Sequence, residues 1–350
     1  MKRLRETRRL VAGVAVLALL GAACGGDDDD DAAPEATDVG DTDVGDTADG
    51  GDAPAGECTT IFGDDTSVAS LSDLDFSGLT VNVGSKDFVE QFVLGQLLIV
   101  AIEAGGGETV DNTNLGGTVV NRDALLANEI DAYFEYNGTG WAVHLGREDP
   151  SFDREELTTG VCIADLEEND IRWLGVSEFN NTYGFATAGD GPATGLDMQG
   201  MADFLAENPD AIVCMETEYP NRPDGLVLFE TATGFQIPDA QTEIMETGVI
   251  YEETANGNCT FGEIFTTDGR IPALGLDVVD DPGVNILYNV SLTMPDSVFQ
   301  QAPEAFQSVA DTILGQLDND TMAELNRKVS ADGMDPRAVA EEFLTDQGLL

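Results

Sequence analysis

The segment GSKDFVEQ, residues 84–91, places an ammonium group in a chain that carries almost none. The sequence has 67 Asp and Glu against 15 Lys and Arg, and only Lys2, Lys86 and Lys328 are lysines. Lys86 is therefore alone in the body of the chain, where a fixed ammonium suits the binding of an anionic group. Catalytic chemistry has less support. The single histidine, His144, argues against a histidine-based metal site or triad and is expected to pack or to lie on the surface. No CxxC spacing suggests a metal. Acids are too abundant for one pair to stand out as a hydrolytic dyad, and nothing resembles a nucleophile elbow. The expectation is no enzyme, no metal and no cofactor.

Lys86 needs elements to position it. LTVNVGS, residues 79–85, alternates apolar and polar side chains and reads as a strand. DFVEQFVLGQLLIVAIEAGGG follows as a helix with an apolar face at Phe88, Phe92, Leu97 and Ile99, closed by glycines. ETVDNTNLG reads as a second strand, TVVNRDALLANEI as a second helix and DAYFEY as a third strand. That βαβαβ alternation marks an α/β sheet. Lys86 then sits where a strand runs into a helix N-terminus. Open α/β sheets bind ligands at this edge, and backbone N–H groups there favour anions.

The alternation returns in the middle of the chain. IRWLGVSEF, AIVCMETEY, TFGEIFTTDGRI and ALGLDVVDD read as strands, and DMQGMADFLAENP reads as a helix starting at Asp197. RPDGLVLFETATG opens another short helix, and from Pro295 onward the chain turns helical. Two α/β units with C-terminal helices fit two lobes around a cleft. Trp173, in an apolar strand pattern, is expected in the core.

The first residues read as an export signal. MKRLRETRR is basic, and LVAGVAVLALLGAA is apolar but short for a bilayer span and ends in small residues. Residues 1–23 are thus expected to be a lipoprotein signal, with Cys24 the lipidated residue. Residues 24–57 are Asp, Gly, Ala and Thr with almost no large apolar side chain, so they read as an acidic, disordered tether. The net charge of −52 excludes nucleic acid as a partner, since phosphate binding needs clustered Lys and Arg. It reads as surface solvation. Setting Cys24 aside leaves Cys58, Cys162, Cys214 and Cys259. An even number in an exported chain suggests two disulfides, with three pairings open.

Five segments now occur in order: GSKDFVEQFVLGQLL, NLGGTVVNRDALLANEIDAYFEYNGTG, NNTYGFA, NRPDGL and FTTDGRI. Together they resemble the substrate-binding proteins of osmoprotectant ABC importers, the binders of glycine betaine, carnitine and choline. The resemblance runs from about residue 79 to the C-terminus. It implies an α/β, two-lobe type II periplasmic-binding-protein fold with a ligand cleft between the lobes. The family holds a quaternary ammonium ion in a cage of aromatic rings and the ligand's carboxylate on basic and hydroxyl groups. The physics fits this division. A trimethylammonium has no N–H to donate, and ring faces give it apolar contact and a negative quadrupole together. A buried carboxylate needs fixed donors.

Carried onto this sequence, the resemblance makes Lys86 the carboxylate-binding lysine and Thr139 a carboxylate-binding hydroxyl. Arg222 becomes the carboxylate-binding arginine. Tyr136, Tyr183 and Tyr288 become cage rings, Phe265 a fourth wall and Trp141 a further one. Gly116 and Gly117 with Thr118 read as a turn into a helix and are expected to line the cleft by backbone only, while Arg270 is expected to be structural. The implied division is lobe I at 58–182, lobe II at 183–288, and a return to lobe I at 289–350 with the C-terminal helices. On that division Cys58 pairs with Cys162 and Cys214 with Cys259, because a disulfide across the cleft would oppose opening. The implied function is a monomeric, extracytoplasmic, lipid-anchored receptor that delivers a quaternary ammonium solute, glycine betaine first, to an ABC permease. The membrane is met only through the anchor. The alternatives are a choline- or carnitine-preferring binder of the same family and a sensor lipoprotein without transport.

Overall fold

The computed structural model describes Cys58 and residues 66–350. The signal segment, Cys24 and the whole acidic tether lie outside the described residues. Strand β1 (Thr80–Lys86) leads into helix α1 (Val89–Ala104), followed by β2 (Glu108–Gly116), α2 (Thr118–Leu126) and β3 (Tyr133–Tyr136). Helix α3 (Arg154–Asn169) and β4 (Ile171–Leu174) complete this run. The chain then crosses to a second group, β5 (Tyr183–Ala188), α4 (Met198–Glu207), β6 (Val213–Met215), α5 (Leu226–Thr233) and β7 (Thr242–Ile244). Helix α6 (Thr247–Ala255), β8 (Phe261–Phe265) and β9 (Leu276–Val278) finish that group. It returns through β10 (Val290–Pro295) to α7 (Pro303–Leu314), α8 (Asn319–Ser330) and α9 (Pro336–Asp346).

The two groups are two sheets of the same design. In the first, β1 pairs with β2 in parallel, and a parallel bridge between Val83 and Ala132 ties β1 to the entry of β3. Strand β10 lies antiparallel between β3 and β4, giving the order β2-β1-β3-β10-β4. In the second, the order is β7-β6-β8-β5-β9, with β6 parallel to both neighbours and β5 antiparallel to both of its own. The odd strand of each sheet is the first one reached after crossing from the other lobe. The chain is thus an α/β, two-lobe type II periplasmic-binding-protein fold.

The crossings lie side by side. The Tyr288 N–H donates to Asn180 Oδ1 at 2.6 Å, and Asn285 Nδ2 donates to the Tyr183 carbonyl at 2.9 Å. Each lobe also carries its own disulfide, Cys58–Cys162 in the first and Cys214–Cys259 in the second. Neither spans the cleft.

The acidic composition is put to structural use. Asp153, Asp197, Asp318 and Asp335 are N-caps whose carboxylates accept backbone N–H groups of the first turn. Carboxylates suit that place, since the helix dipole and the free N–H groups both favour negative charge there. Helix α1 departs from the amphipathic reading. From Val93 to Ile102 it is buried on every side, Phe92 is only partly buried, and Phe88 is the N-cap residue in front of the helix. Helices α3 and α6 and strand β5 go beyond what the periodicity indicated.

Candidate ligand-binding site

A cavity of about 300 Å³ lies between the two sheets, and Lys86, Tyr136, Thr139, Tyr183, Arg222, Phe265 and Tyr288 all line it. Lys86 ends β1, and Tyr136 ends β3 and leads into the NGT turn that carries Thr139. The turn is tight: a Cβ on Gly138 would come within 2.4 Å of the Leu287 carbonyl oxygen. Tyr183 opens β5 and Phe265 closes β8, paired directly across the ladder. Arg222 follows a 3-10 turn after β6, and Tyr288 stands just before β10. Both lobes and a crossing therefore supply walls.

Five rings form a closed circuit around this space. Centroid separations are 6.3 Å for Tyr136–Tyr288, 5.4 Å for Tyr288–Tyr183 and 5.3 Å for Tyr183–Phe265. Phe88 closes it, at 5.0 Å from Phe265 and 6.1 Å from Tyr136. Burial pushes the phenols of Tyr136, Tyr183 and Tyr288 well above their ordinary range, so the rings stay neutral. The Tyr136 hydroxyl donates to Glu90 at 2.7 Å and the Tyr288 hydroxyl to Asp224 at 2.9 Å.

The basic groups are held by acids of the protein. Lys86 Nζ lies 2.6 Å from Glu135 and 5.1 Å from the centre of the Tyr136 ring. Glu135 also meets His144 at 2.9 Å, so the lone histidine is a buried partner of this carboxylate. Burial opposes ionisation of Glu135, but Lys86 and His144 together hold its carboxyl well below the usual carboxylate range. Arg222 places Nε and Nη2 on the two Asp224 oxygens, at 2.9 and 2.7 Å. Its remaining N–H groups reach Thr118 Oγ1 at 3.0 Å, Thr139 Oγ1 at 3.0 Å and Glu218 Oε2 at 3.3 Å. Thr118 and Thr139 belong to the first lobe, so Arg222 bridges the cleft.

A second bridge lies at the crossings. The buried carboxylate of Glu90, on α1, accepts from Tyr136 and from Asn181 Nδ2, at 2.9 Å. It also accepts from Thr267 Oγ1 at 2.5 Å and Asn326 Nδ2 at 2.9 Å. Burial lifts its carboxyl above the ordinary glutamate range, and these four bonds pull it back in part.

Several walls escape sequence reading. The periodicity puts Phe88 on a helix face, yet its ring completes the circuit; its place next to Lys86 and Asp87 is the available signal. Gly117 and Thr118 line the cavity and Gly116 does not, the Thr118 hydroxyl accepting from Arg222; Asn181 lies inside NNTYGFA, and Glu216 and Glu218 lie outside every motif. Trp141 is not a wall. It packs with Cys58, Val161 and Trp173 in the outer part of the first lobe and donates its indole N–H to the Glu148 carbonyl. Trp173 is fully buried there. Arg270 is paired with Asp268 and stacked 4.2 Å above the Tyr251 ring, away from the main cavity.

The profile described as "Substrate binding domain of ABC-type glycine betaine transport system" matches residues 79–346, both sheets and the whole cavity. The chain belongs to that family. Members are substrate-binding proteins of ABC-type transport systems, not enzymes. The glycine-betaine-binding protein of Pseudomonas aeruginosa is 30% identical over 281 residues, covering 77% of this chain and 89% of the relative. The glycine betaine-binding protein YehZ of Escherichia coli is 29% identical over 280 residues, covering 77% and 90%. The apo structure of YehZ superposes on this substrate-binding protein with a TM-score of 0.58, over 77% of this chain and 99% of that one.

Proposed function

We propose that the protein captures a quaternary ammonium osmoprotectant, glycine betaine first, and delivers it to an ABC permease. The observation that carries this reading is the closed circuit of five rings inside a two-lobed cavity. A regular circuit of such spacing has its centre about 5 Å from each centroid, within the ~6 Å over which a cation is held by ring faces. Each ring contributes ~0.5–2 kcal/mol to such a cation, more when the site is dry. The methylated end of the solute lies among Tyr136, Tyr183, Tyr288, Phe265 and Phe88. Its carboxylate faces the end that carries Lys86, Thr139 and Arg222. A solute touched by both lobes favours the closed form and shifts the population toward it, and the closed shape is what a permease reads.

The same reading makes the chain an extracytoplasmic, monomeric lipoprotein, with Cys24 as its anchor. Titration calorimetry with glycine betaine, proline betaine, carnitine, choline and ectoine tests it. Micromolar or tighter binding of glycine betaine is expected. Absence of heat with every member of the panel would sink the proposal. Choline or carnitine binding far tighter than betaine would move the protein to the alternative preference within the family.

A further inference from the structure

The carboxylate of Glu218 stands on donors that a zwitterion's carboxylate would need. Glu218 follows β6 in the second lobe. Its Oε1 accepts the backbone N–H of Thr118, in the first lobe, at 3.0 Å, and its Oε2 lies 3.3 Å from Arg222 Nη1. The turn that carries it is fixed from behind. The Glu216 carboxylate accepts the N–H groups of Glu218 and Tyr219, each at 2.6 Å. The first lobe is shaped to receive it as well: a Cβ on Gly117 would stand 2.0 Å from Glu218 Oε1. A side chain at that position would have to push this carboxylate, the free end of a flexible side chain, aside.

Counting donors makes the point sharper. A guanidinium has five N–H groups. Those of Arg222 go to Asp224 twice, to Thr118, to Thr139 and to Glu218. Nothing is left for a ligand. The bond to Glu218 is the longest of the set, and Glu218 is the most exposed of the partners, with 36% of its side chain open. A solute carboxylate that reaches Arg222 must displace one of these partners, and Glu218, held by the longest bond, most exposed and repelled by a second carboxylate on the same donor pair, is the one that yields most readily. A cation without a carboxylate leaves Glu218 in place and gains its negative charge.

We infer that Glu218 is a specificity-determining residue, an internal carboxylate that competes with the carboxylate of zwitterionic solutes and so narrows the preference for betaine over quaternary ammonium solutes that lack one. This rests on the proposed reading of the cavity. The test is titration of glycine betaine and choline into the wild-type protein, Glu218→Gln and Glu218→Ala. Loss of a charge interaction about one-third exposed corresponds to about fivefold in affinity. Both variants should bind betaine about fivefold more tightly and choline no more tightly than wild type, so the betaine-to-choline ratio rises by at least that factor. An unchanged ratio, or betaine weakened as much as choline, overturns the inference and leaves Glu218 as a plain closing contact. Binding of neither solute to any of the three proteins overturns the quaternary ammonium reading, and the inference with it.

Discussion

Two carboxylates cross between the lobes, and they do so under opposite conditions. Glu90, beside the crossings, is 2% exposed and surrounded by four neutral donors. Glu218, at the rim, is more than one-third open and touches a single backbone N–H and one arginine already held by Asp224. An unmet donor beside Glu90 has no water to turn to, so its bonds are expensive to lose. Water replaces the bonds of Glu218 at little cost. On the proposed reading, the contrast puts Glu90 in the fixed part of the molecule and Glu218 in the part that exchanges when a solute enters.

The largest effect is expected at Glu90. Glu90→Ala strands four buried donors and should lower the unfolding free energy by about 3 kcal/mol or more, measured by urea denaturation. A loss below ~1 kcal/mol would erase the distinction between the two sites.

The pH dependence sharpens it. The carboxyl of Glu90 is raised by burial, so the folded chain holds this proton more tightly than the unfolded chain. Its contribution is full below the ordinary glutamate range and falls as pH rises through the raised value. Glu135 runs the other way: its depressed carboxyl contributes above the ordinary range and loses that contribution as pH falls below it. Wild type should thus lose stability relative to Glu90→Gln as pH climbs from that range toward neutrality. A flat difference would show that Glu90 does not change protonation on folding.

A smaller effect follows at Tyr136. Tyr136→Phe removes one donor from Glu90 but keeps the ring 6.3 Å from Tyr288. It should cost about 1 kcal/mol of stability while changing the affinity for a quaternary ammonium solute far less than Tyr136→Ala does. Equal loss of affinity in both variants would mean that the hydroxyl, not the ring, meets the ligand. The smallest change in stability belongs to Glu218→Gln, within ~0.5 kcal/mol of wild type by thermal unfolding.

Much of the fold was legible because local pattern and tertiary environment agree. LTVNVGS and ETVDNTNLG became β1 and β2, the first pair of a parallel sheet, and Asp197 caps α4. Legibility failed where they disagree. Helix α1 is buried all round, so no apolar face existed to be read. Strand β5, YGFATA, lies inside its sheet between β8 and β9 and carries small residues rather than an alternating pattern. The resemblance led to Lys86, Tyr136, Thr139, Tyr183, Arg222, Phe265 and Tyr288, whereas Glu216 and Glu218 depended on which chain segments come to face one another.

The sequence by itself determined the βαβ order, the family through its ordered motifs, and a lone lysine at a strand-to-helix edge. Each element, motif and edge among these is written within a short run of neighbouring residues, and their order is read along the chain. Only the tertiary structure decided that Lys86 is matched to Glu135 and that Arg222 has no free donor. It also decided that Glu90 gathers Tyr136, Asn181, Thr267 and Asn326, the last of them 236 positions away. Such contacts are set by which strand returns to which sheet. No local spacing records that choice, because the groups come together only once the strands have taken their places in the two sheets.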